Sequence, residues 1–453
     1  MIASRSGSGD RENDRRGTQR VAALRPRSLA LLAGLVLLVC LAARLLFIQG
    51  WFRPVRISGG SMAETLVGRH LIIHCRDCRF PCRVDADAPP SDECIICPNC
   101  GQRNDDTDEI TTRRGDRVLL DRLAYRRRLP RRWDLVAFRT PDDDDYLEIK
   151  RVVGLAGETV SIRNGDIYID ERIQRKTLDQ LRAMAVLVHD ADYQPVVAGE
   201  TLPGRWRAES SPSSWFQAGS EGQFSTAPIL TGRTDWLTYH HWRCMKGPWP
   251  RTDEYAILDN YGYNQGVSRR LHRVSDVLLV CRVRISTGSG ALRFGVHDGY
   301  AWFDISLSVN TREASAVCGR QELARAPLPK LAYARGVTIE VATCDQQVLL
   351  AIERRLVLRV PYTVGELPFE PSVRPLRIGA AGVGVVVQRL QIFRDVHYLG
   401  PRGLGRPWAS SGPLQSDDVF VIGDNVPVSR DSRHWKQPGV ARNRLLGRVL
   451  RVW

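Results

Sequence analysis

The chain of 453 residues is 43% hydrophobic and 25% charged, which excludes a wholly disordered or fibrous protein and leaves room for two or more domains. Its formal net charge of +15 comes from 65 Lys and Arg against 50 Asp and Glu, with Lys in a small minority. That excess suits an anionic membrane surface, whereas no segment interleaves basic and aromatic residues as a nucleic-acid platform does, so no nucleic-acid partner is expected.

Residues 1–28 form a basic, Arg-rich tail, and residues 29–48 follow with Arg44 as their single charge. A run of this length that continues through Leu45, Leu46, Phe47 and Ile48 to Trp51 predicts one uncleaved transmembrane helix. The positive-inside rule then places the tail in the cytoplasm and the rest of the chain on the extracytoplasmic face of the cell's inner (plasma) membrane. About ten residues further on comes Ser58-Gly59-Gly60-Ser61-Met62-Ala63-Glu64-Thr65-Leu66. Glycines ahead of a serine permit a sharp turn with free amides, but Gly-Gly-Ser alone is a weak signal.

Residues 71–110 hold Cys75-x2-Cys78 and Cys97-x2-Cys100, two knuckles that fit a four-thiolate zinc ribbon, with His74, Cys82 and Cys94 as spare ligands. Four thiolates leave no open position for water, so the metal would be structural. The extracytoplasmic location favours disulfides instead, and both readings stand. An Arg-rich stretch over residues 111–139 and the acidic run Asp142 to Asp145 read equally as a lipid-phosphate contact or a solvated face.

Tyr146 to Gly154 alternates as a strand and seats Lys150 among β-branched neighbours. A lysine becomes a base near neutrality only if burial lowers its pKa by about 3 units, and an apolar strand flank provides for that. Asn164-Gly165 predicts a tight hairpin between Val160 and Ile169. Residues 176–393 change character, with β-like runs at Val277–Ser286, Ala301–Val309, Val337–Thr343 and Val348–Val360 that predict a β-sandwich. The cluster Trp236, Tyr239, His240, His241 and Trp242 lacks metal-type order and reads as structural. Val419 to Arg433 is a strand entering a polar loop whose side chains are able to orient a base.

Taken together and in this order, the blocks resemble the type I signal peptidases (leader peptidases, serine peptidase family S26), which are membrane-anchored and use a Ser/Lys dyad. The resemblance covers roughly residues 29–69, 111–173 and 394–453. It runs through Ser61-Met62-Ala63-Glu64-Thr65-Leu66, Gly115-Asp116-Arg117-Val118 with Trp133-Asp134-Leu135-Val136, Ile149-Lys150-Arg151-Val152-Val153-Gly154, and Gly423-Asp424-Asn425 with Ser429, Asp431, Ser432 and Arg433. Glu64 and Ala156 stand where the family usually has proline.

The resemblance implies a mainly β catalytic domain assembled from residues 52–70, 111–175 and 394–453. A zinc-ribbon-like insertion (71–110) and a concanavalin- or laminin-G-like sandwich (176–393) interrupt it. It casts Ser61 as nucleophile, Lys150 as general base, Ser429 as the hydroxyl that holds the lysine, and Asp431 with Arg433 as a supporting pair. Gly60 and the Ser61 amide would support the oxyanion, and Met62 would help line the substrate cleft. No catalytic cofactor is implied; the metal expected is a structural zinc on Cys75, Cys78, Cys97 and Cys100. Secretory preproteins cut after small residues are the implied substrates, with membrane lipid and the secretion translocon as partners. Glu64, if it faced the site, would favour the charged lysine and weaken catalysis. The alternative is a catalytically weakened relative that serves as a membrane-anchored glycan or peptide binder, while a self-cleaving repressor is disfavoured by the anchor.

Overall fold

A computed structural model of the chain describes residues 26–48, 50–92, 94–105, 110–126, 128–141, 146–194, 204–218, 222–228, 232–242, 253–330, 333–365 and 367–452. The basic tail before Pro26 and the acidic run Asp142 to Asp145 lie outside the described residues. The chain divides into two compact units, Met1–Phe52 and Arg53–Trp453.

In the first unit an α-helix spans Pro26–Ala43 and passes into a π-helical turn at Arg44–Ile48. Its apolar window Leu29–Leu46 has a mean hydropathy of 2.6 and is long enough to cross a membrane. Its large side chains, Leu31 and Leu37 among them, are exposed all round, as a helix that meets lipid on every side requires.

The second unit is β throughout, apart from short helical turns. The part that carries Ser61 and Lys150 is built on a seven-stranded sheet in the order Phe52–Arg56, Arg117–Asp121, Leu445–Val452, Leu135–Arg139, Leu147–Gly154, Asp418–Ile422, Val440–Ala441. Strands distant in sequence are thus neighbours: Leu147–Gly154, which carries Lys150, lies between Leu135–Arg139 and Asp418–Ile422. Both of its faces are covered, which explains its Val- and Ile-rich sequence. Val152, Val419 and Val421 pack with Phe138 and Trp435 on one side, and Ile149 packs with Leu120 and Met62 on the other. The hairpin Val160–Arg163 and Asp166–Ile169 turns at Asn164 and Gly165, both at positive φ (51° and 92°), as Asn-Gly foretells.

The sandwich is organised around two long antiparallel strands, Val277–His297 and Leu376–Arg394. Sequence reading ends the first at Ser286. The strand continues because Gly288, at φ 89°, lies against the partner backbone at Gly382, where a side chain has no room. The single run expected over Val348–Val360 is two strands, Gln347–Ile352 and Arg355–Pro361, turned at Glu353 and Arg354, both at positive φ. A core of Leu237, Leu292, Phe294, Ile305, Val341, Leu350, Ile378 and Val385 fills the space between the sheets. The chain enters and leaves the sandwich at adjacent points, since Val186 pairs with Arg394. At that junction Lys176, 1% exposed, sits 2.5 Å from Asp345 and 2.9 Å from Asp395. Burial works against its charge, yet the two carboxylates hold the ammonium well above the ordinary lysine range.

Candidate active site

The serine loop is a tight helical turn: Ala63 N donates to Gly60 O at 3.0 Å and Leu66 N to Met62 O at 2.8 Å. Met62 and Leu66 point inward and pack with Val118, Leu120, Ala137 and Ile149. At 2% exposure, Met62 is packed in the core, where it fixes the turn to the sheet. The turn leaves Ser61 half-buried beside the lysine strand. Lys150 Nζ lies 2.6 Å from Ser61 Oγ, and the lysine is 2% exposed. A second group reaches the same ammonium from its own strand face two residues earlier, with Glu148 Oε2 at 3.2 Å.

The polar loop after Asp418–Ile422 closes over this pair. Asn425 N donates to Ser61 O at 3.1 Å, and Asn425 Nδ2 to Gly60 O at 2.8 Å. Gly423 is forced to be glycine, because a Cβ there would come within 2.4 Å of both Ser429 Oγ and Ser61 O. The Ser429 hydroxyl is buried beside the Asp431 carboxylate and makes no bond to Lys150 in this arrangement. Arg433 grips Asp431 with Nε at 2.7 Å and Nη2 at 2.8 Å, and spends its other donors on the carbonyls of Leu399, Val426 and Ser429. Burial alone would raise the Asp431 carboxyl; the adjacent guanidinium instead holds it well below the usual carboxylate range. Asp431 in turn accepts from Gly423 N at 3.1 Å.

Sequence reasoning gave no role to a second ion pair that joins all three blocks. Arg151 donates to Asp424 through Nε at 2.7 Å and Nη2 at 2.5 Å, both side chains being nearly inaccessible, and Thr65 Oγ1 of the serine loop donates to the same carboxylate at 2.6 Å. Burial opposes the Arg151 charge, and Asp424 more than restores it. The signal was present: Arg151 stands next to Lys150, and Asp424 lies within the Gly423-Asp424-Asn425 motif.

Glu64 turns away from Lys150. Its Oε1 accepts from Tyr263 N at 3.3 Å. Burial pushes its carboxyl above the ordinary range, with Arg83 and the Tyr263 amide opposing. The carboxylate beside the lysine is therefore Glu148, and its place two residues before Lys150 on one strand was readable. Tyr261–Gln265 of the sandwich insertion, by contrast, carries no sequence signal as a site element. Tyr261 Oη donates to Asp424 O at 2.7 Å, the Asn264 and Asn425 side-chain amides pair reciprocally at 2.6 and 2.8 Å, and a Cβ on Gly60 would strike the Tyr263 ring at 2.6 Å.

A family model described as signal peptidase, peptidase S26 matches residues 102–206, a span that contains Lys150 and lies wholly after Ser61. A curated relative, signal peptidase I V of Bacillus subtilis (strain 168), is 29% identical over 80 residues, 17% of this chain. These matches support the peptidase S26 family. The chain spans about half the length of that relative, 46% of it. The apolar N-terminal helix fits a membrane-anchored protein. Among solved structures, similarity extends to the carbohydrate-binding module CBM66 from Bacillus subtilis (10% identity, TM-score 0.28, 42% of this chain and 95% of that one). It extends also to the Caenorhabditis elegans galectin LEC-6 (11% identity, TM-score 0.20, 25% of this chain and 82% of that one).

Proposed function

We propose that this protein is a membrane-anchored serine endopeptidase that removes signal peptides from exported preproteins after small residues, with Ser61 and Lys150 as its dyad. The observation that carries the reading is the 2.6 Å contact between Ser61 Oγ and a lysine amine that is 2% exposed. As Oγ attacks the scissile carbonyl, Lys150 in its amine form takes the Ser61 proton, and the carbonyl π pair moves onto oxygen. Collapse of this intermediate expels the leaving amine, which receives that proton from Lys150. Lys150, again an amine, then takes a proton from the water that attacks the acyl-enzyme, and returns it to Ser61 Oγ as the ester bond breaks. Gly60 and the Ser61 amide support the oxyanion, and Asn425 holds the turn that presents them.

Arg433 and Asp431 fix the loop above the dyad, and Arg151 and Asp424 fix the loop against the lysine strand. The helix anchors the catalytic part on the extracytoplasmic face, with the N-terminal tail in the cytoplasm, and secretory preproteins emerging from the translocon on that outer face are the substrates. The test is cleavage of a preprotein with an Ala-x-Ala exit by detergent-solubilised wild type, Ser61→Ala and Lys150→Ala. Cleavage by wild type alone is expected. Cleavage that persists in either variant, or is absent from folded wild type across several preproteins, refutes the dyad.

A further inference from the structure

We propose that Cys75, Cys78, Cys97 and Cys100 bind one zinc ion as four thiolates, and that this centre braces the serine loop through Tyr261–Gln265. The four sulfurs lie within 4.8 Å of one another, and across the two knuckles Cys75 Sγ meets Cys100 Sγ, and Cys78 Sγ meets Cys97 Sγ, at 3.6 Å. A regular tetrahedron with Zn–S bonds of about 2.3 Å has edges of about 3.8 Å, whereas a disulfide requires about 2.0 Å. The spacing is that of ligands around a centre.

The two knuckles repeat one backbone design. Cys75 N donates to Phe80 O and Arg79 N to Cys75 O, both at 2.9 Å; Cys97 N donates to Gln102 O at 2.8 Å and Gly101 N to Cys97 O at 2.9 Å. The fifth residue of each turn is at positive φ, Arg79 at 61° and Gly101 at 82°. Donors converge on the sulfurs as thiolate charge demands: Gln102 N lies 3.4 Å from Cys100 Sγ, Asn99 Nδ2 3.8 Å from Cys78 Sγ, and Asn104 Nδ2 4.0 Å from Cys75 Sγ. Apart from cysteines, the fully buried apolar residues of this cluster are Ile73, Val84 and Ile95, too few to hold the segment by burial alone. Cys82 is directed at Phe80 O, 3.7 Å away, and stands outside the tetrad.

From this centre a short path reaches the nucleophile. Ile96, next to Cys97, exchanges two bonds with the Gln265 side chain, at 3.0 and 2.7 Å. Gln265 adjoins Asn264, which is paired with Asn425, and Asn425 holds Ser61 O and Gly60 O. Tyr263 of the same loop meets Glu64 and donates through Oη to Arg69 O. The zinc-bound knuckle therefore acts as a fixed post to which the insertion's loop, and through it the serine turn, is tied.

The test uses full-length protein purified in detergent without added metal, with zinc measured by mass spectrometry and thiols counted after denaturation without reductant. One zinc per chain with all four thiols free is expected, falling to none in Cys97→Ser and unchanged in Gln265→Ala. Zinc-free wild type, or these cysteines recovered as disulfides, overturns the site. Amide hydrogen exchange over residues 60–66 reads the brace independently of any peptidase activity, so its failure is distinct from failure of the dyad. Loss of the two Gln265 bonds, or removal of zinc by a chelator, is expected to speed exchange there about tenfold. Unchanged exchange in both overturns the brace.

Discussion

Replacing Asp424 by Asn leaves the shape of the site intact and removes one buried negative charge. The partner left behind is Arg151, held by two hydrogen bonds of 2.7 and 2.5 Å, with side-chain exposures of 4% for Arg151 and 2% for Asp424. A surface pair of this kind would be worth under about 1 kcal/mol, because water and salt would stand in for the partner. Here no water reaches the guanidinium, so stranding it is expected to cost about 3–5 kcal/mol, a large share of a typical stability of about 5–15 kcal/mol. Thr65 and the serine turn lose their charged acceptor at the same time, and peptidase activity should fall with stability. Removing both charges, as in Arg151→Met with Asp424→Leu, should cost less than the sum of the single changes by about 2 kcal/mol or more. Urea unfolding of the full-length protein, followed by tryptophan fluorescence, measures the whole cycle. A cost below about 1 kcal/mol for Asp424→Asn, or strictly additive single changes, would refute the argument that this pair locks the three blocks together.

Three other outcomes are expected. Glu148→Gln removes the carboxylate that pairs with Lys150 Nζ at 3.2 Å and frees the lysine for Ser61, so kcat/KM for the preprotein should rise; an unchanged value would show that this pair does not compete with the Ser61 contact. Gly423→Ala places a methyl within 2.4 Å of Ser61 O and Ser429 Oγ, and should abolish cleavage while the sandwich's own unfolding transition is retained; wild-type turnover would contradict the packing described. At the junction, burial and the neighbouring carboxylates of Asp345 and Asp395 push Asp276 up to about 8, and burial with Asp345 pushes Asp395 up to about 6, against Lys176. Groups whose folded pKa is raised stabilise most below their unfolded pKa near 4 and lose that contribution as pH rises through the folded value. Stability should therefore decline between about pH 4 and 8 on their account, and Asp276→Asn should flatten the decline, with melting midpoints at pH 5 and 8.5 as the measure. Equal pH slopes in the two proteins would remove Asp276 from that account.

Much of this architecture is legible where a local pattern forces a local geometry. The apolar run before Trp51 is a helix, Asn164-Gly165 makes its hairpin, and the two Cys-x2-Cys turns bring their sulfurs together. Ser61 and Lys150, 89 residues apart, could be named because each sits in a distinctive motif, and they lie side by side in the fold. What escaped notice depends on direction or on long-range docking. Met62 belongs to a motif, but motifs do not state which face of a turn is buried. Glu64 meets Tyr263 across 199 residues, and no periodicity in the sandwich marks Tyr261–Gln265 as part of the site. Glu148 is readable from strand alternation alone, two residues before Lys150 on one face.

The pairing of Val186 with Arg394 has a consequence for how this chain could change over generations. Entry and exit strands that touch make the sandwich excisable on geometric grounds: a short turn joining them would close the gap with little chain entropy to overcome. Such a deletion would also remove Tyr261, Tyr263, Asn264 and Gln265, stripping the serine turn of its outer wall and leaving Gly60 and Asn425 open to water. The sandwich is a passenger in topology but not in contacts: its removal is simple for the chain, yet it would require a new far side for the Ser61 loop.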